Sequence, residues 1–242
     1  DVSFTPTFTN PGPYCLGDTP TLLSTTSTNG ITGSWSPTTI STSTAGTTNY
    51  TFTPDAGQCA VNISLPITVN SLPQLNLTGT DPLCFGDNNG YISASASGGA
   101  AGYSLTWAGG TYTMTGGNHS IAALGSGNYD FTVTDANNCT NTASQTLSDP
   151  AALGISVVYT TITVFGGTST VTVSASGGTP GYTGTGTFNV IAGTYTYTVY
   201  DANNCSVTQT ITISQPAQLQ ISVTATPINC FGGTSTITVS AS

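Results

Sequence analysis

The feature that most constrains the fold of this chain is an eleven-residue stretch that occurs twice. Residues 166–176 read GGTSTVTVSAS and residues 232–242 read GGTSTITVSAS, with a single Val-to-Ile difference. A looser copy, GYISASAS, occupies residues 90–97, and a second marker, DANNC, stands at residues 135–139 and 201–205. Repetition in a fixed order indicates one structural unit that is used several times.

The composition predicts an all-β protein. All nine charged side chains are aspartates, and the chain contains no Lys, Arg or Glu. Thr, Val, Ile and Tyr alternate with small residues, and this period of two is typical of half-buried strands. No segment has the apolar period of a helix. We therefore expect tandem small immunoglobulin-like β-sandwich domains that form an elongated rod.

The unopposed charge of −9 argues against several kinds of partner. Without Lys or Arg the chain has no cation to neutralise phosphates, so we expect no nucleic-acid binding and no attraction to anionic lipid heads. No apolar run of about 18 residues exists that would insert into a membrane. The only histidine, His119, lies in the Gly-rich segment GGNHS and lacks proton-transfer partners, so we predict a surface-loop residue and no enzyme activity.

The cysteines predict disulfides in an extracellular or surface-exposed protein. None has the CxxC spacing of a zinc or thioredoxin site. Widely spaced cysteines in small β modules are typical of an oxidising compartment. The six candidates are Cys15, Cys59, Cys84, Cys139, Cys205 and Cys230.

Breaker residues and the repeated markers divide the chain into four segments. The first is predicted to be an immunoglobulin-like module of about seven short strands, one near Leu22 and one carrying Trp35. Two copies of the repeated module follow, and the last segment reads as the start of a further, truncated repeat of a longer protein. In the second module Trp107 is the expected core anchor, and the third module has no counterpart. The segments are 1–71, 72–150, 151–216 and 217–242.

Residues 73–242 resemble the SprB repeat of Bacteroidetes surface adhesins. The resemblance rests on CFGDNNG, SASGG, GNYDFTVTDANNC and a closing DP or QP, in that order. Residues 1–70 resemble an immunoglobulin-like module of the same large proteins, through NGITGSWSP and YTFTPDAGQCA. The resemblance implies a filament on the outer cell surface of a gliding bacterium, exported by type IX secretion. The third module departs from the pattern, because Val164 stands where the first cysteine is expected.

Two disulfide arrangements are open. Pairing within modules would join Cys15 to Cys59 and Cys84 to Cys139, and would leave Cys205 without a partner. In a sandwich of ordinary topology, however, the two cysteines of one module lie at opposite poles, and Cα atoms more than about 7 Å apart cannot be bridged.

The other arrangement joins neighbouring modules. It pairs Cys15 with Cys139 and Cys84 with Cys205, and would stiffen the chain. Two cysteines would then be available to modules beyond the chain: Cys59 and Cys230.

Three aspartates are weak calcium candidates. Asp87 lies in DNNG, and Asp135 and Asp201 lie in DANN, which offer oxygen ligands without the spacing of an EF-hand. Tight turns require the same residues, since Asn and Gly accept positive φ. We expect turns and no cofactor, with weak calcium binding as the alternative.

The aromatic residues have two interpretations. Tyr129 and Tyr195, ten residues before a DANNC cysteine, are either core or corner tyrosines of the penultimate strand or an aromatic platform for sugar, and we favour the structural role. Tyr103, Trp107 and Tyr112 are a weaker candidate cluster for sugar stacking.

The predicted function is that of a fragment of a large, repetitive adhesin that acts as an extended stalk. Its expected partners are neighbouring repeats of the same chain and a surface polysaccharide or solid substratum. One alternative is a carbohydrate-binding module array of a secreted polysaccharide-degrading protein. The other is a purely structural surface filament.

Overall fold

The computed structural model describes residues 3–242, which form eighteen β-strands and include no helix. The all-β prediction is confirmed. Within the same range no helix is therefore long and apolar enough to cross a membrane. The chain divides into two compact units. Unit 1 comprises the residues up to Pro82 together with Asn88–Ser148, and unit 2 comprises Leu83–Asp87 and Asp149–Ser242.

The first module, in unit 1, is built on one four-stranded sheet in the order β1-β4-β3-β2. β1 runs parallel to β4, and the other neighbours are antiparallel. Buried and exposed residues alternate along β3, so the side chains of Tyr50 and Phe52 point into the core, which also contains Trp35. In this core the rings of Phe8 and Phe52 lie 4.7 Å apart. The strands are β1 (Tyr14–Cys15), β2 (Gly33–Ser36), β3 (Gly46–Pro54) and β4 (Ile63–Asn70).

The predictions of about seven strands here and of a strand near Leu22 are wrong. Leu22 lies in an irregular segment and is 89% exposed. Side-chain hydrogen bonds hold this segment, and it does not pair with a neighbouring strand. Trp35 Nε1 donates to the carbonyl of Ser24 (2.8 Å), and the hydroxyl groups of Tyr14 and Thr21 are hydrogen-bonded to each other (2.9 Å). Local side-chain partners of this kind compete with strand pairing.

The second module is a sandwich of two antiparallel sheets, ordered β5-β6-β9 and β11-β10-β7-β8. Three strands face four, as in immunoglobulin-like folds. Ile92 of β6, Leu105 of β7 and Phe131 of β10 point into the core and are at most 1% exposed. The strands are β5 (Pro73–Thr80), β6 (Gly90–Gly98), β7 (Ser104–Trp107), β8 (Gly110–Thr113), β9 (Asn118–Leu124), β10 (Gly127–Thr134) and β11 (Thr140–Leu147).

The third module, in unit 2, is an abridged version of the same sandwich. Its sheets are β12-β13-β14 and β15-β16. A single bridge between Thr183 and Tyr200 stands where the second module has the hairpin β7–β8, which explains the missing counterpart of Trp107. Val171 of β13 and Val199 of β15 are fully buried in its core. The strands are β12 (Gly154–Tyr159), β13 (Ser169–Ser176), β14 (Gly186–Val190), β15 (Gly193–Tyr200) and β16 (Ser206–Ile213).

The last segment forms a hairpin of β17 (Ile221–Ala225) and β18 (Ile237–Ala241). Although β18 repeats the sequence of β13, Ile237 is 65% exposed, whereas the corresponding Val171 is buried. In the third module, residues of β15 and β16 belong to the cluster that buries Val171.

The outward faces of the sheets carry hydroxyl groups. On the third module, Thr194 pairs with Thr212 and Thr196 with Thr210 through side-chain hydrogen bonds of 3.1 and 2.8 Å. Cross-strand pairs of this type contribute about 0.2–1 kcal/mol each. On the second module the register aligns four threonines in one row across four strands: Thr142, Thr132, Thr106 and Thr111.

Candidate functional site

The first component of the site is a tight turn that occurs four times, which we call the C-x-G turn. In each copy the fourth residue donates its N–H to the carbonyl of the first, at 3.0–3.1 Å. The third residue is a glycine with φ between 75° and 86°, a conformation that favours glycine. The four copies are Cys15–Asp18, Cys84–Asp87, Val164–Gly167 and Cys230–Gly233.

The second component is the DANNC segment, which we call the closing loop. In residues 201–205 the carboxylate of Asp201 accepts hydrogen bonds from the backbone N–H groups of Asn203, Cys205 and Thr179, each at 2.9 Å. Asn204 adopts φ of 63°, which asparagine tolerates. The carboxylate thereby orders the loop that presents the cysteine.

The closing loop at residues 135–139 repeats this geometry. Asp135 accepts from the N–H groups of Asn137 and Cys139 at 2.9 Å and of Ala100 at 2.8 Å. Asp135 and Asp201 are each 3% exposed. Three charge-assisted hydrogen bonds to each carboxylate offset the free-energy cost of burying it. Both DANN segments form turns, as the sequence predicts.

The hydrogen bonds shift the titration of Asp201. The N–H of Thr179 lowers the pKa of its carboxyl below the ordinary value of 3.8, with smaller contributions from Cys205 and Asn203. Burial acts in the opposite direction and does not reverse the shift. The carboxylate is the form that the closing loop requires.

Two disulfides join a C-x-G turn to a closing loop. Cys15 bonds Cys139 within unit 1, with Cα atoms 5.5 Å apart, and Cys84 bonds Cys205 within unit 2, with Cα atoms 5.7 Å apart. In the second case Asn203 Nδ2 also donates to the carbonyl before Cys84, that of Leu83 (3.1 Å). This is the arrangement between neighbouring modules.

The remaining cysteines of the described residues, Cys59 and Cys230, are free and exposed. Val164 occupies the first position of an intact turn in the third module and supplies no thiol.

In the second and third modules, the residue before the final proline (Pro150 or Pro216) positions a C-x-G turn. Asp149 Oδ2 accepts from the N–H of Gly86 (3.1 Å), and Gln215 Oε1 accepts from the N–H of Gly166 (2.9 Å). From the sequence alone, this position predicts only a module boundary. The available signal was an acceptor side chain at the same place in both modules.

Tyr129 and Tyr195 are corner tyrosines. Tyr129 donates its hydroxyl to the carbonyl of Gly125 (3.0 Å), and Tyr195 donates to that of Ile191 (3.1 Å), four residues upstream in each case. This geometry corresponds to the structural interpretation.

The weaker cluster does not form one platform. Trp107 packs on the rings of Tyr129 and Phe131, both at 6.0 Å, whereas Tyr112 stacks on His119 at 4.7 Å. Tyr103 donates its hydroxyl to a backbone carbonyl, that of Gly98. The three side chains thus have different ring or hydrogen-bond partners.

The loop prediction for His119 is wrong. It lies in β9, because Gly116 and Gly117, both at positive φ, complete the turn before the strand begins at Asn118. Among the described residues no three His, Cys, Asp or Glu side chains come together as a metal site. Asp87, the third calcium candidate, donates its N–H to the carbonyl of Cys84 in a C-x-G turn.

The first module contains an apolar groove of 230 Å³ lined by Phe8, Leu22, Leu23, Trp35 and Leu65, among others. Pockets for small ligands usually enclose at least about 300 Å³. The groove is therefore a weaker candidate than the joined turns and loops.

Comparisons with known protein families give a match within the second module. A family model, the SprB repeat, matches residues 76–112. A comparison with curated proteins finds no significant match.

Several solved structures are similar to the chain. The N-terminal eight immunoglobulin domains of Down syndrome cell adhesion molecule are 16% identical, with a TM-score of 0.41, over 74% of this chain and 29% of that one. The ectodomain of mouse nectin-like molecule 4 is 10% identical, with a TM-score of 0.32, over 69% and 73%. Domains 7, 8 and 9 of the S-layer protein SbsC are 11% identical, with a TM-score of 0.25, over 75% of each chain. The chain thus spans less than a third of the first of these structures.

Proposed function

The chain carries a SprB repeat, and we propose that it is a segment of a repetitive cell-surface adhesin whose modules form a stalk that withstands tension. The gliding bacterium, export by type IX secretion and placement on the outer cell surface belong to this proposal. So does the lack of enzyme activity. The observation that carries it is that each disulfide joins residues of two consecutive modules, with the module boundaries as predicted from the sequence.

The two disulfides interleave along the chain. Cys84 lies inside the loop that Cys15–Cys139 closes, and Cys139 lies inside the loop that Cys84–Cys205 closes. Tension applied at the chain ends therefore passes along 1–15, across the first bond, through 84–139, and across the second bond. Residues 16–83 and 140–204 span the same two crosslinks in parallel with this shortest path, so they cannot reach their full extended length while both bonds are intact, even if their strands separate.

The outward hydroxyl rows support contact with a neutral partner. The row of threonines on the second module presents hydroxyl and methyl groups, and none of its four positions is charged. A surface polysaccharide or a hydroxylated solid is the partner that we propose for these faces. The different contact partners of Tyr103, Trp107 and Tyr112 do not favour an array built on aromatic sugar platforms.

Single-molecule stretching tests the stalk. The Cys59→Ser/Cys230→Ser chain, held by its two ends, is extended fully in oxidising and in reducing buffer. We expect reduction to add the length of residues 16–83 and 140–204, at roughly 3.3–3.6 Å per residue. An equal extension in both buffers would contradict the proposal. So would a gain that matches residues 16–58 and 85–138, because that gain corresponds to bonds within modules.

A further inference from the structure

The C-x-G turn at Cys230–Gly233 has the geometry of two turns that are bonded to a closing loop. Gly233 donates to the carbonyl of Cys230 at 3.0 Å, and Gly232 has φ of 83°. The corresponding values are 3.0 Å and 86° in the turn of Cys15, and 3.1 Å and 78° in the turn of Cys84.

Both of those turns bind the same kind of partner. Cys15 is bonded to Cys139 and Cys84 to Cys205, and both partners are the last residue of a DANNC closing loop. The turn therefore has two occupied examples in this one structure. Cys230 is the third cysteine in this position, and it is free and exposed.

The contact extends beyond the sulfur atoms. In unit 2 the side-chain amide of Asn203 donates to the backbone carbonyl that precedes Cys84. Because the acceptor is a backbone atom, the corresponding carbonyl of Asn229 offers the same acceptor before Cys230.

Cys59 differs from the closing-loop cysteines. It has φ of 48°, and the carboxylate of Asp55, four residues before it, accepts from the hydroxyl of Thr32 at 2.7 Å. In the closing loops the corresponding carboxylate accepts from the N–H of the cysteine itself. Cys59 thus supplies a matched control, an exposed thiol outside a closing loop.

We propose that the C-x-G turn at Cys230–Gly233 is an attachment site for the closing loop of another module of this type, which it binds through the turn and then through a disulfide. The inference rests on the proposed function and identifies the partner that binds at this turn of the stalk. That partner is a DANNC closing loop whose cysteine is free.

The bond forms by thiol–disulfide exchange with a small-molecule disulfide, for which oxidised glutathione serves. One protein thiolate attacks the disulfide and releases one glutathione thiolate, which takes up a proton. The second protein thiolate then attacks the mixed disulfide and releases the other glutathione. Two protein thiols are oxidised to one disulfide, and one oxidised glutathione is reduced to two thiols.

The test mixes two chains in a glutathione buffer. The receiver is Cys59→Ser, whose only free thiol is Cys230. The donor is Cys59→Ser/Cys84→Ser/Gly86→Val/Cys230→Ser, in which Cys205 is free and its closing loop is unoccupied, because valine disfavours the positive φ of Gly86. A retained Cys15–Cys139 bond and an unchanged far-UV circular dichroism spectrum verify that the donor is folded.

Two controls separate a docking turn from a reactive thiol. In the receiver with Gly232→Val the thiol is kept and the turn is disfavoured. In the donor with Cys230→Ser alone, Cys59 is the free thiol. We expect the Cys230–Cys205 dimer, identified by mass spectrometry, to exceed the product of either control at least about tenfold, which corresponds to about 1.4 kcal/mol.

Equal yields from the Gly232→Val receiver, or from the Cys59 donor, would overturn the inference, because both indicate a non-specific thiol. Absence of the Cys230–Cys205 dimer with a folded donor would overturn it as well. Neither result would affect the stretching experiment, which concerns bonds within one chain.

Discussion

Asp135 and Asp201 are the residues on which the closing loops depend. Each carboxylate accepts three backbone hydrogen bonds and connects the loop to the double-glycine turn of its module, which is Gly98–Gly99 or Gly177–Gly178. The connection is made by the residue that follows the turn, Ala100 in one module and Thr179 in the other. An aspartate at this position therefore shapes the loop that presents the cysteine.

This role predicts an acid-sensitive third module. The folded-state pKa of Asp201 is lowered, chiefly by the N–H of Thr179, so its stabilising contribution is complete above the ordinary value of 3.8. That contribution is lost as the pH falls below this value toward the folded-state pKa. Urea unfolding between pH 7 and pH 3 measures the loss.

The variant Asp201→Asn is the control for this prediction. Its amide can accept at Oδ1, but it turns an N–H group toward a backbone N–H, so we expect lower stability at pH 7 and a flatter pH dependence. A pH dependence as steep as that of the unmodified chain would assign the acid sensitivity to other aspartates.

Two neighbouring tyrosines predict opposite effects of removing a hydroxyl. The Tyr195 hydroxyl donates to Ile191, so Tyr195→Phe should lower the free energy of unfolding by about 0.5–1 kcal/mol. The Tyr197 hydroxyl is buried without a hydrogen-bond partner among the described residues, and this burial raises its pKa, with a smaller contribution from Tyr195. Tyr197→Phe should therefore leave stability unchanged or raise it. Urea unfolding measures the free energy of unfolding of both variants. A larger loss of stability for Tyr197→Phe than for Tyr195→Phe would contradict this prediction.

The double-glycine turn is the element that meets the closing loop. Gly178 has φ of 57°, and a Cβ atom there would lie 2.6 Å from the Asp201 carboxylate. Gly99 has φ of 58°, and a Cβ atom would lie 2.5 Å from the Asp135 carboxylate. The second glycine thus serves both the backbone conformation and the approach of the carboxylate.

We therefore expect Gly178→Ala to destabilise the third module more than Gly166→Ala. Gly166 also has positive φ, but a Cβ atom there meets nothing within 4 Å, so only the conformational cost of about 1–2 kcal/mol applies. Gly178→Ala adds the displacement of Asp201. Thermal unfolding of both variants measures the difference in stability. Equal losses of stability would show that the contact with the Asp201 carboxylate contributes nothing to the effect of Gly178→Ala.

The sequence predicted elements wherever alternation was strong. GNYDFTVT corresponds to β10 and YISASAS lies within β6, because their apolar side chains fill one face of a sandwich. Around Leu22 the predicted strand is absent, because side-chain hydrogen bonds replace the backbone pairing of a strand. Before His119 the predicted loop is shorter than expected, because the pair Gly116 and Gly117 completes the turn. The acceptor side chain that recurs at Asp149 and Gln215 indicates a shared role, but its partners, the N–H groups of Gly86 and Gly166, are distant in sequence and follow only from the fold.

At the scale of the whole molecule, the connection between modules is covalent as well as sequential. The bonds close loops with sequence separations of 124 and 121 residues, and each begins in the C-x-G turn of one module and ends in the closing loop of the next. Crosslinks of this kind stabilise mainly by restricting the unfolded chain, typically by about 2–4 kcal/mol each. In the third module, Val164 leaves the turn without a thiol, so the covalent series is not continuous through all the modules.

Disulfide mapping of the intact chain is the sharpest test of whether the two disulfides join consecutive modules. The unreduced protein is alkylated, cleaved with an aspartate-directed protease and analysed by mass spectrometry, since the chain offers trypsin no Lys or Arg. We expect peptides that join Cys15 to Cys139 and Cys84 to Cys205, with Cys59 and Cys230 alkylated. Peptides that join Cys15 to Cys59 or Cys84 to Cys139 would show independent modules and would contradict the account.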